Sequence, residues 1–127
     1  MRYNDVQDYI LLQAMFQARC EEVCGLLIPL NDSYGYLSDF EISDDEVFGD
    51  GDEYLGYGES ERHVAKFPLR FIWEDDEEIK QYVEDELNKR KEAEEAERLR
   101  IQKIQEDFQE MRDREEYERL KKKFEGV

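Results

Sequence analysis

Between Leu69 and Glu125 the chain contains neither glycine nor proline. Glu, Lys and Arg dominate that stretch, and all three are good helix formers, so nothing in it forces the backbone out of a helix. Asp75-Asp76-Glu77-Glu78 reads as a capping box, with Asp75 as the cap and Glu78 reaching back. A helix of about 50 residues from this point would reach about 75 Å, more than a small domain can bury. The chain therefore divides into a small head over residues 1–73 and a long charged helix over 74–127. The head holds the single Trp and most of the Phe and Tyr.

Glu86/Arg90, Glu94/Arg98, Glu110/Arg114 and Glu118/Lys122 stand four apart in the favourable order on the long helix. Its apolar residues come in three blocks. Ile79, Tyr82, Val83 and Leu87 suit a fold back onto the head beside Phe71 and Trp73. Ile101, Ile104, Phe108 and Met111 follow the three-and-four spacing of a coiled-coil seam and are the expected dimerisation residues. Tyr117, Leu120 and Phe124 restart at a shifted phase, as at a stutter. A homodimer through the C-terminal helix is expected.

In the head, Asn4 offers an N-cap, and Val6, Ile10, Leu11, Ala14, Met15, Ala18 and Val23 recur at helical steps. Gly25 is placed to end that helix, giving a span of about 4–24 whose wide apolar stripe should lie on a sheet. Tyr36 to Ile42 reads as a first strand, and Val47 onward as a second that is bulged or opens into a long loop at its glycines. Glu61–Phe67 reads as a third, ended by Pro68. The expected fold class is α+β: an N-terminal helix on a small antiparallel meander, followed by the long helix.

The segment from Asp39 to Glu59 carries nine carboxylates and no lysine or arginine. A calcium loop requires glycine at its sixth position, but a frame opened at Asp50 has Leu55 there. A frame opened at Asp44 has Phe48 at its fifth position, where a ligand is needed. Phe40, Ile42, Val47, Phe48, Tyr54, Leu55 and Tyr57 interleave with the acids, as in strands with one buried face. An anionic face displayed on a small sheet is the expectation. Asp44, Asp45, Glu46, Asp50, Asp52 and Glu53 would form it, with Tyr54 and Tyr57 as aromatic anchors.

Net charge is −17. A polyanion of that size is repelled by nucleic acid and anionic membranes and steered toward basic surfaces. No apolar run is long enough to span a bilayer, and MRYNDVQDYI lacks the pattern of a signal peptide, so a soluble, cytoplasmic protein is expected. Cys20 and Cys24 stand one helical turn apart, a geometry for buried thiols rather than a disulfide. His63 lies near Arg62, Lys66 and Arg70, a cluster suited to pairing with acids or holding a nucleotide. No nucleophile–base set, phosphate loop or zinc motif is present, so no catalytic residue, metal site or cofactor is expected.

The run Phe67-Pro68-Leu69-Arg70-Phe71-Ile72 and the ending EEYERLKKKFEG give residues 61–127 a layout similar to small accessory proteins of bacteriophages. The resemblance extends to anti-CRISPR and other anti-defence inhibitors, many of which are small, acidic DNA mimics. It implies an inhibitor that acts in the host bacterial cytoplasm on a basic host protein, a nuclease or CRISPR effector, without touching nucleic acid or membrane. Two alternatives stand beside it: a coiled-coil scaffold or assembly protein of a phage, and a sponge that sequesters a nucleotide signal near Arg62, Lys66 and Arg70.

Overall fold

A computed structural model describes residues 1–126. The elements in order are α1 (Tyr3–Leu27), a 3-10 turn (Asp32–Tyr36), β1 (Asp39–Ser43), β2 (Glu46–Gly56), β3 (Glu59–Pro68), a second 3-10 turn (Leu69–Ile72) and α2 (Asp76–Glu125). The strands form one antiparallel sheet in the order β1-β2-β3, so the fold is α+β, with a helix on a meander and a long helix after it. The chain divides into two compact units, Met1–Leu87 and Asn88–Val127.

In the first unit α1 begins two residues earlier than Asn4 as its cap would set it. Arg2 is the N-cap residue, and its backbone N–H donates to Asp5 Oδ2 at 3.0 Å. Gly25 does not stop the helix, which runs on to Leu27. The buried side of α1 also differs from the expected stripe. Cys20, Val23, Cys24 and Leu27 enter the core, whereas Val6, Ile10, Leu11 and Met15 are exposed. The cause is length. A helix of 25 residues extends about 37 Å, but three strands about 4.8 Å apart cover only a few of its turns.

The core is completed by Leu37, Val47, Phe67, Phe71, Ile79 and Val83, with Tyr82 edge-on to Phe71 at 5.1 Å between ring centroids. Ile79 and Val83 thus fold onto the head as expected, while Trp73 and Leu87 remain exposed. Cys20 and Cys24 are free, buried thiols.

Two turns set the sheet register. Asp44-Asp45 joins β1 to β2, with Asp44 at φ 54°. Tyr57-Gly58 joins β2 to β3 with both residues at positive φ, the two-residue turn whose twist suits a hairpin. A bulge follows between Tyr54 and Gly56. Only Glu46–Asp50 of β2 is paired on both sides. Beyond Asp50, β2 and β3 continue as a two-stranded arm.

In the second unit α2 is helical to Glu125 and exposed throughout. Arg114 meets Glu110 at 3.0 Å as the spacing predicts, but Arg98 pairs with Glu95, three residues back, at 3.7 Å. Ile101, Ile104, Phe108 and Met111 are exposed. No helix among the described residues is long and apolar enough to cross a membrane.

Candidate functional site: an acidic sheet face and a histidine cluster behind it

Alternation along β2 sends Glu46, Phe48, Asp50, Asp52 and Tyr54 to one side of the sheet, and Val47, Gly49, Gly51 and Glu53 to the other. The register adds Asp39 and Glu41 of β1 to the first side, opposite Asp50 and Phe48. From β3 the same side receives Lys66, Val64 and Arg62. Phe48 and Val64 are both exposed there, and they form the apolar part of a groove of about 670 Å³ walled by Asp39, Glu41, Asp50, Arg62 and Lys66.

This face is less purely anionic than the sequence of β2 suggests. Arg62 approaches Asp50 at 3.3 Å and Lys66 approaches Glu46 at 3.2 Å. Strand β3 supplies these cations across the ladder. Arg70, the third base of the cluster noted in the sequence, lies 3.6 Å from Glu74. All three bases suggested for a nucleotide pocket are therefore engaged by carboxylates.

The eight residues expected to contact a partner do not form one patch. Glu46, Asp50 and Asp52 share the outer face, and Asp44 and Asp45 stand at its edge in the β1–β2 turn. Tyr54 lies on the same side but near the far end of the arm, and Tyr57 is exposed in the hairpin turn. At about 3.3 Å per residue, Tyr54 lies roughly 30 Å from Asp45. Glu53 does not belong to this face at all. It points to the inner side, where it meets the histidine.

The inner cluster is built from both ends of the head. His63 Nε2 is 2.8 Å from Glu53 Oε2, and His63 Nδ1 is 2.8 Å from Ser33 Oγ. The ring of Tyr36 stacks on the imidazole with centroids 4.6 Å apart. The His63 side chain is only 13% exposed and that of Glu53 27%. Gly51 is what lets the 3-10 turn approach, because a Cβ at this position would overlap the Tyr36 carbonyl oxygen. Ser38 N–H then donates to Asp50 O at 2.8 Å and fixes the turn against β2.

The hydrogen bond from His63, and then that from the Tyr36 hydroxyl, hold the Glu53 carboxyl below its ordinary pKa. The Tyr36 hydroxyl is pushed up in return, chiefly by its hydrogen bond to Glu53. Serine, imidazole and carboxylate stand here in the order of a nucleophile relay. Ser33 N–H, however, is bonded to Asn31 Oδ1 at 3.0 Å and so is not an oxyanion donor. Glu61, opposite Glu53 across the ladder, brings a second carboxylate near the ring.

Reading the sequence links His63 to its basic neighbours and misses Ser33, Tyr36 and Glu61. Comparison of the chain with protein-family models, with curated proteins and with solved structures finds no match in any of the three.

Proposed function

We propose that this chain is an inhibitor-type binding protein that docks its outer sheet face onto a basic, nucleic-acid-handling surface of a host protein. The partner class is a nuclease or CRISPR effector, as for the phage anti-defence proteins the sequence resembles. The observation that carries the reading is the register that gathers Asp39, Glu41, Glu46 and Asp50 around the exposed Phe48 and Val64. Carboxylates steer a basic partner to the face, and an apolar centre supplies the contact that charge alone cannot. Asp44, Asp45 and Asp52, which form no ion pair among the described residues, extend the anionic edge, in place of the phosphates such a partner would otherwise bind.

Affinity capture from a bacterial lysate tests this directly. The wild-type chain should retain a nucleic-acid-handling protein, and a chain with Asp44, Asp45, Asp50 and Asp52 changed to Asn should release it. Retention of the same proteins by both chains would contradict the reading.

A second reading rests on a separate observation. Ile101, Ile104, Phe108 and Met111 keep a seam spacing on α2 and are exposed. A scaffold or assembly protein that works through paired helices accounts for that seam, and capture of phage structural proteins would favour it.

A further inference from the structure

Behind the docking face, Glu53 and Glu61 oppose each other across β2 and β3, and His63 follows two residues along β3 on the same side. One ligand atom from each of the three lies within 4.8 Å of the other two. Donors around a tetrahedral zinc at 2.0–2.2 Å stand roughly 3.3–3.5 Å apart. Glu61 is exposed, so its side chain is free to change rotamer while the ladder holds the three backbones in place. We propose that Glu53, Glu61 and His63 bind a divalent transition-metal ion of the zinc class, with a coordination position left for water.

Charge supports the assignment. Two carboxylates and a neutral imidazole carry −2, which balances a divalent ion. No lysine or arginine pairs with either glutamate among the described residues: adjacent Arg62 goes to Asp50 and Lys66 to Glu46, on the other side of the sheet.

The histidine's second nitrogen supports it independently. A metal-bound histidine commonly sets its non-ligating nitrogen against an oxygen, which fixes the ring. Ser33 Oγ, 2.8 Å from Nδ1, occupies that place. A hydroxyl can rotate to donate or accept. Without metal, Ser33 donates to Nδ1 and the Nε2–H donates to Glu53. When Ser33 turns to accept from an Nδ1–H, Nε2 presents a lone pair to the Glu53 carboxylate, an arrangement that requires a cation between them. The metal ion takes the place of that proton, and no bond to the backbone need change.

The donor set also selects among metals. Calcium takes six to eight oxygens, more than this corner of the arm supplies. One imidazole with two carboxylates suits zinc, or cobalt as its spectroscopic substitute. Bound there, the ion would tie the two-stranded arm to the Asp32–Tyr36 turn. It lies on the opposite side of the sheet from the docking face, so neither proposal depends on the other.

The test uses the full chain, stripped with a chelator and dialysed. Zinc chloride is titrated by calorimetry, and cobalt(II) by visible absorption. One equivalent of zinc should bind, and cobalt should give the visible bands of a low-coordinate site. Glu61→Gln should weaken zinc binding at least tenfold without changing the metal-free melting temperature, because Glu61 is exposed. Ser33→Ala should weaken it about tenfold through the ring alone. Changing Asp44 and Asp45 to Asn should leave it unaltered. The proposal is overturned if no stoichiometric binding occurs, if Glu61→Gln binds as the wild type does, or if the Asp44/Asp45 change weakens binding equally, which would mark a diffuse attraction to acidic surface.

Discussion

Arg19 on α1 donates to Asp76 at the start of α2 at 2.7 Å, across 57 residues of sequence. The same guanidinium also donates to the carbonyls of Phe71 at 3.1 Å, Ile72 at 3.1 Å and Glu74 at 2.7 Å. One side chain, 18% exposed, thus gathers the end of the second 3-10 turn and the entry to α2. Its pKa is raised, first by the hydrogen bond to Asp76 and against the cost of burial.

Arg19→Ala should therefore cost about 2–3 kcal/mol, because it strands half-buried carbonyls as well as breaking an ion pair. Arg19→Lys should recover only part of this, since an ammonium cannot reproduce the fork. Urea denaturation of the three chains measures both. A loss below about 0.5 kcal/mol in Arg19→Ala would show that Arg19 only decorates the surface.

The boundary of the core on α1 gives a second expectation. Leu27, fully enclosed, should lose about 2–5 kcal/mol on change to Ala. Leu12, 62% exposed, should tolerate Gln within about 0.5 kcal/mol. Equal losses at the two positions, read from denaturation midpoints, would mean that the first half of α1 is covered in solution.

Much of this architecture is legible in the sequence, and what is not has a physical cause. The run from Leu69 to Glu125 without Gly or Pro announces α2, and the glycines of β2 announce a bulge or a loop without marking the two-residue Tyr57-Gly58 turn. The partners of Glu53 depend on something finer. Paired outward from a Tyr57-Gly58 turn without interruption, the strands would set His63 against Asp52 and Glu53 against Arg62. The bulge between Tyr54 and Gly56 shifts this by one residue, so His63 lies opposite Gly51 and Glu53 opposite Glu61. A slip of one residue exchanges the two faces of a strand. The glycines signal that a bulge exists, but they do not say where it falls. Arg19 is hidden for another reason: three of its acceptors are backbone carbonyls, which no residue type marks, and its carboxylate partner Asp76 lies 57 residues away.

Burial of the two thiols sets a pH dependence. Desolvation raises Cys20 to about 11 and Cys24 to about 12, from an ordinary value of 9.0. Raised native values mean that the unfolded chain loses these protons first. Their contribution to stability is whole below pH 9 and falls as the pH climbs toward 11 and 12. At pH 8 the folded protein should react with iodoacetamide at least about a hundredfold more slowly than in guanidinium. Comparable rates in the two states would contradict the buried placement.

The exposed seam of α2 is expected to pair with a second copy. Ile104→Glu together with Phe108→Glu would place charge between facing seams, where burial is costly. Sedimentation should report a dimer for the wild type and a monomer for this variant. A wild-type monomer at high micromolar concentration would remove self-association from the account.

The central claim is that the outer sheet face, rather than bulk acidity, occupies a basic groove. It is tested most directly by displacing labelled duplex DNA from the captured nuclease or CRISPR effector. The wild-type chain should compete with the DNA, and its potency should fall as salt rises. Changing Asp44, Asp45, Asp50 and Asp52 to Asn should reduce that potency more than about tenfold, in line with the coupling of close charge pairs at interfaces. Changing Glu92, Glu94, Glu95 and Glu97 to Gln removes as many charges from α2 and should leave potency within a few-fold of the wild type. Equal loss from both sets would contradict the claim, as would an undiminished face variant.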